Sequence, residues 1–158
     1  MSSWLTIEPV LEPIDEARTL VDELETELSA AYSAEQRHGF DLARLFQPNI
    51  LFFVARQACQ PIGCGGVAFH DGLAELKRMY VRPAARRRGA AQAMLARLEE
   101  EASRRGMGRL VLETGDAQHA AIRFYERAGF TRCAAFAPYT TMPPHKIQRS
   151  VFFDKRIG

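Results

Sequence analysis

Hydrophobic and polar positions along the chain switch between two periods, and the switches mark out its elements. Trp4 to Val10 is a short, partly alternating run that predicts a first strand. Asp15 stands where a helix cap is expected, and Leu20, Leu24 and Leu28 then recur with acidic residues between them, as on a helix with one apolar face. The stretch from Ala30 to Pro48 predicts a second helix with Phe40, Leu42, Leu45 and Phe46 as its apolar members, broken near Gly39 and ended by Pro48. Ile50 to Arg56 reads as a buried strand and Pro61 to His70, with Gly63, Gly65 and Gly66, as another. Asp71-Gly72 is a strong hairpin signal leading into a third strand, Ala74 to Val81. An antiparallel meander follows from that order.

Beyond the meander, Ala91, Met94, Leu95, Leu98 and Ala102 fall on one face of a 3.6-residue period, predicting a helix that ends near Arg105 and is capped by Gly106. Arg109 to Thr114 is another strand, and a strand–helix–strand unit of this length implies a right-handed parallel crossover. Asp116 is placed to cap a last helix carrying Gln118, Ala121, Ile122 and Tyr125 on one face and closed by Gly129. Two terminal strands, Thr131 to Phe136 and Val151 to Lys155, flank a proline-containing stretch from Pro138 to Gln148. The expected order is β-α-α-β-β-β-α-β-α-β-β, an α/β fold with a mixed sheet in a single domain.

Composition narrows the class. A chain of 158 residues with 47% hydrophobic and 25% charged residues is ordinary for a soluble globular protein. The net charge of +2 argues against a general nucleic-acid binder, although arginines cluster at 86 to 88 and at 104 to 105. Cys59, Cys64 and Cys133 show no metal or disulfide spacing and read as reduced thiols, Cys64 as a small buried hydrophobe. No signal peptide and no run long enough for a membrane span is visible, so a cytoplasmic protein without membrane partners is expected.

The candidate chemistry centres on Val81 to Ala91, V-R-P-A-A-R-R-R-G-A-A. A strand that passes through a glycine-containing turn into a helix leaves free backbone N–H groups, and the helix dipole adds positive potential there. Arginines beside such a turn supply charge-assisted hydrogen bonds to phosphate oxygens. The turn lacks the Lys-Ser or Lys-Thr of a P-loop and the three glycines of a dinucleotide fingerprint. It does match an acyl-coenzyme A fingerprint: Arg or Gln, two residues, Gly, one residue, then Gly or Ala.

Together with the strand A-E-L-K-R-M-Y-V-R-P, the strand L-E-T-G and the helix Q-H-A-A-I-R-F-Y-E-R-A-G-F, this turn resembles the GNAT superfamily of acetyl-CoA-dependent N-acetyltransferases. The resemblance is strongest from Ala74 to Phe130, and it implies a mostly antiparallel sheet with a central splayed parallel pair. It further implies that backbone groups of Met79, Tyr80 and Val81 pair with the pantetheine arm of acetyl-CoA. The N–H groups from Arg87 through Arg88, Gly89 and Ala90 to Ala91 would hold its pyrophosphate, with Arg86 beside them. Arg87 stands where many relatives carry Gly, and Gln118 where they often carry an Asn that contacts the cofactor.

The resemblance makes Tyr125 the general acid for the departing thiolate, a role suited to a phenol. Glu75 is the candidate base for the incoming amine, directly or through water, with an ordinary strand-surface carboxylate beside Lys77 as the other reading. Tyr32, Glu35 and His38 fall on the acceptor side, where a polar solvated helix explains them as well. His119 is expected to face solvent. The run Glu99 to Glu101 is expected to pair with Arg104 and Arg105. The implied reaction is direct acetyl transfer to a primary amine of a small molecule or peptide, with no metal; the resemblance also allows a homodimer through terminal strands. A catalytically quiet acyl-CoA-binding module shares the turn, and Tyr125 with a base favours the enzyme. A third reading, nucleic-acid binding through the arginines, predicts steep salt dependence.

Overall fold

The computed structural model describes residues 4–37 and 41–158. These residues hold seven strands: β1 (Leu5–Val10), β2 (Ile50–Gln57), β3 (Gln60–His70), β4 (Leu73–Val81), β5 (Arg109–Gly115), β6 (Thr131–Arg132) and β7 (Ser150–Arg156). The helices are α1 (Asp15–Ser29), α2 (Ala90–Arg104), α3 (His119–Arg127) and the single turn α4 (Pro144–Ile147). Strand order in the sheet is β1-β2-β3-β4-β5-β7-β6. Every neighbouring pair is antiparallel except β4 and β5, which lie parallel as the α2 crossover requires.

The sheet separates two apolar layers. Ala74, Leu76, Leu110, Leu112 and Phe153 face α2 and α3, packing on Met94, Leu95, Leu98 and Tyr125. On the other side Phe52, Val54, Cys64 and Tyr80 face Ala17, Leu20 and Val21 of α1. Period-2 alternation along the strands produces both layers from one sequence. The buried face of α2 begins at Ala90 rather than at Ala91, which is only half-buried.

Several expected elements take different form. Within the predicted second helix the described residues hold only a 3₁₀ segment, Leu42–Phe46, whose first turn is capped by the Asp41 carboxylate accepting from Ala43 N–H. Of the expected apolar members, Leu45 is buried and Phe46 meets Phe52 edge-on, while Phe40 and the expected break at Gly39 lie outside the described residues. Ile14, not Asp15, occupies the N-cap of α1, and Gln118, not Asp116, that of α3. β6 is cut to two residues because Phe136 turns inward to pack edge-on against Tyr139 and Phe152, over Val111. Among the acidic run, Glu100 and Glu101 both pair with Arg104, Glu99 pairs with Lys155, and Arg105 stacks on Phe69 instead.

No helix among the described residues is long and apolar enough to cross a membrane. Cys64 lies fully buried behind α1, and burial pushes its thiol up to about 12, whereas Cys59 is exposed. Iodoacetamide at mildly alkaline pH is therefore expected to alkylate Cys59 and spare Cys64 in the folded protein. Peptide mapping checks this; equal labelling of the two would contradict the packing of α1 on β3.

Candidate active site

The site begins where the sheet comes apart. β4 and β5 are paired only at Ala74 with Leu110 and Glu75 with Val111. Beyond Glu75 the strands diverge, helped by a bulge. Between the pairs Gly66–Lys77 and Cys64–Tyr80, β4 carries one residue more than β3, and Arg78 sits at a φ of 49°. The Cys64 thiol donates to the Arg78 carbonyl across the bulge. Small residues let the strands close here: a Cβ on Gly63 would lie 2.6 Å from the Tyr80 carbonyl oxygen.

Downstream, β4 runs into the arginine turn. Arg87 has a φ of 67° and Gly89 a φ of 87°, so the turn uses the left-handed region twice. The backbone account for Arg87 is direct: glycine reaches this conformation freely, and an L-residue there is strained. Ala93 N–H bonds to Gly89, and the N–H groups of residues 87 to 92 find no backbone acceptor among the described residues. These groups form a cradle suited to an anion. Arg86 bends away from it, donating to the Val81 carbonyl and to both oxygens of Glu27 on α1. Arg88 is exposed.

Between the splayed strands opens a cleft of about 360 Å³, lined among others by Glu75, Met79, Glu113, Gln118, Tyr125 and Tyr139. Tyr125 enters it from α3 with its ring set edge-on between Phe124 and Phe130. Its hydroxyl lies 4.0 Å from the Met79 sulfur, its one polar partner among the described residues, and burial holds the phenol well above its usual pKa. Tyr80 points its ring to the opposite face, where its hydroxyl donates to Glu23; burial first, and then the Glu23 charge, pushes it up to about 12.

Glu75 departs from the strand-surface reading. Its side chain is 1% exposed, on the face of β4 opposite to Ala74 and Leu76. One oxygen, Oε2, accepts from Tyr139 at 2.9 Å and lies 3.1 Å from Lys77 Nζ. The other, Oε1, is 3.4 Å from His70 Nε2. Burial, followed by the charges of Glu75 and Glu113, keeps Tyr139 far above its ordinary pKa, so it remains a donor to that carboxylate.

The acceptor-side residues divide. Tyr32 is buried and structural: its hydroxyl accepts from Ala117 N–H at 2.8 Å, and Arg149 stacks on its ring at 4.6 Å. Glu35 is exposed and 3.1 Å from His145 of α4. His38 lies outside the described residues. Gln118 lines the cleft from the α3 N-cap, while His119 is exposed.

Sequence reasoning missed His70 and Tyr139. A signal existed for His70, because a two-residue turn at Asp71-Gly72 sets Ala68 opposite Glu75 and period 2 then places residue 70 on the same face. Tyr139 lies in an irregular segment with no period to read.

Comparison with known proteins agrees with this geometry. Residues 17–130 match the family model described as the acetyltransferase (GNAT) family. The IAA acetyltransferase of Azospirillum brasilense is 39% identical over 140 residues, covering 87% of this chain and 88% of that protein. A Klebsiella pneumoniae structure, provisionally described as an acyl-CoA N-acyltransferase, superposes with a TM-score of 0.81 at 31% identity, covering 99% of this chain and 100% of that one. The PaiA N-acetyltransferase of Thermoplasma acidophilum, solved in complex with coenzyme A, shares the fold at a TM-score of 0.72 and 18% identity, covering 96% and 99%. The chain therefore belongs to the GNAT acetyltransferase family. Its activity is that of an acetyl-CoA-dependent N-acetyltransferase, with acetyl-CoA as co-substrate.

Proposed function

We propose that the chain transfers the acetyl group of acetyl-CoA to a primary amine of a small molecule or peptide by direct attack, within the cleft between β4 and β5. The observation that carries this reading is the placing of Tyr125 and the buried Glu75 on one cleft, at the point where the sheet opens. The donor fits the residues present. The edge of β4 from Met79 to Val81 is unpaired toward β5 and suits the amides of the pantetheine arm, while the N–H groups at the start of α2 suit its pyrophosphate. Ala90 and Ala91 leave room for close approach. Gln118 flanks the acyl region.

In this scheme the neutral amine attacks the thioester carbon, forming the C–N bond. A backbone N–H near Tyr80 stabilises the resulting oxyanion. The C–S bond breaks and Tyr125 donates its proton to the departing sulfur. Its hydroxyl has no oxygen or nitrogen partner among the described residues to compete for that proton. The ammonium proton leaves on the Glu75 side.

Steady thiol release from acetyl-CoA with any member of a panel of primary amines, accompanied by acetylated product, is the expected result. Acetyl-CoA binding with no turnover across the panel would instead indicate a quiet acyl-CoA-binding module. Arg86→Ala is expected to raise KM for acetyl-CoA about fivefold, a modest effect because phosphate must displace Glu27 from an exposed pair. An unchanged KM would remove Arg86 from the donor site.

A further inference from the structure

We infer that His70 is the group that takes the ammonium proton of the acceptor, and that Glu75 acts through it as a positioning residue. The inference rests on the acetyl-transfer reading above and specifies its proton path. Glu75 is too enclosed to meet an incoming amine itself, since Oε2 is occupied by Tyr139 and Lys77 and the whole side chain is 1% exposed. Its remaining oxygen, Oε1, is buried and has no hydrogen-bond partner among the described residues, and the same holds for Nε2 of His70. These two orphaned atoms face each other at 3.4 Å. A buried carboxylate oxygen and a buried ring nitrogen left unpaired at this distance are poised to join, and such bonds tighten when a substrate is bound.

The imidazole has the reach that the carboxylate lacks. His70 lines the same cleft as Tyr125, and its side chain is 37% exposed. With Nε2–H directed at Glu75, Nδ1 becomes the basic nitrogen on the open side of the ring. The arrangement comes from the fold: the Asp71-Gly72 hairpin returns the chain so that His70 and Glu75 share one face of adjacent strands. Lys77 and Arg78 of β4, Glu113 of β5, Tyr139, Arg149, and Tyr32, Arg37, Asp41 and Arg44 from the segment between α1 and β2 are, with Tyr125, the other charged or titratable groups lining the cleft. Lys77 and Tyr139 are committed to Oε2.

The protons balance. The acceptor enters as an ammonium and Nδ1 of His70 removes one proton, leaving an imidazolium opposite the Glu75 carboxylate. The neutral amine forms the C–N bond, and the C–S bond breaks with a proton from Tyr125 passing to sulfur. The second N–H proton, on the new amide nitrogen, restores Tyr125. The proton on His70 then goes to solvent as the one proton the net reaction releases.

The test compares wild type, His70→Gln and His70→Ala across pH with a primary amine that the wild type acetylates. His70→Gln should lower kcat/KM for the amine about 100-fold, the usual worth of an acid–base group, with KM for acetyl-CoA unchanged. The acidic limb of the profile should disappear in that variant, and added imidazole should restore turnover to His70→Ala. Retained activity with an unchanged pH profile would overturn the assignment and leave acetyl transfer standing, as would a loss that imidazole does not rescue. If neither variant folds, carbethoxylation of the wild type decides: inactivation must track modification of His70, and modification without inactivation overturns the proposal. A wild type that releases no thiol with any amine would overturn the acetyl-transfer reading and this one with it.

Discussion

Tyr125→Phe is expected to lower kcat about 100-fold while leaving KM for acetyl-CoA within about twofold of wild type. The substitution removes one oxygen and little else. The ring is held by edge-on contacts with Phe124 and Phe130, which phenylalanine keeps, and the hydroxyl makes no strong bond whose loss would unsettle the fold. The thermal midpoint should therefore hold. A drop in kcat with an intact Tm assigns the hydroxyl to chemistry. Turnover unchanged with the amine that the wild type acetylates would end the general-acid assignment, and a rise in acetyl-CoA KM with kcat intact would move Tyr125 to donor binding.

The second large effect concerns shape. Gly63→Ala should destabilise the protein by about 3 kcal/mol, roughly 6–12 °C in Tm, because overpacking against backbone cannot be relieved by rotating a side chain. The added methyl group would sit 2.6 Å from the Tyr80 carbonyl oxygen and 3.4 Å from Val81 Cα. β4 would have to withdraw at the bulge, carrying Met79, Tyr80 and Val81 with it, so KM for acetyl-CoA should rise alongside the loss of stability. Gly108→Ala is the matched control, since nothing lies within 4 Å of its added Cβ. Equal melting temperatures for the two variants would mean that the bulge is not held as tightly as its geometry implies.

What the sequence disclosed follows from where its signals are local. The α1 and α2 faces, the apolar β2 and the Asp71-Gly72 hairpin each rest on period or turn chemistry within a few residues, and each is found close to its expected place. The residues expected on the donor side were locally readable for the same reason, since the arginine turn is a contiguous motif and Tyr125 lies on the regular face of α3. The acceptor side was not. Leu42, Leu45 and Phe46 read as helical because they are apolar at short spacing, yet among the described residues they form a 3₁₀ turn docked by those side chains. Phe136 read as strand, while tertiary contacts with Tyr139 and Phe152 pull it out of the ladder. The surroundings of Glu75 depend on Tyr139, which is 64 residues away in sequence. No local pattern encodes that pairing.

The two residue pairs that join β4 to β5 have a mechanical meaning as well as a chemical one. Most sheets are least secure at their margins; here a seam as lightly paired as the β6 edge also runs through the middle, between the meander and the C-terminal strands. Whatever lies in that seam serves as a keystone. By mass action, a donor that fills it stabilises the folded chain in proportion to its abundance. On the proposed reading, the supply of acetyl-CoA would then govern how long the molecule endures as well as how fast it works.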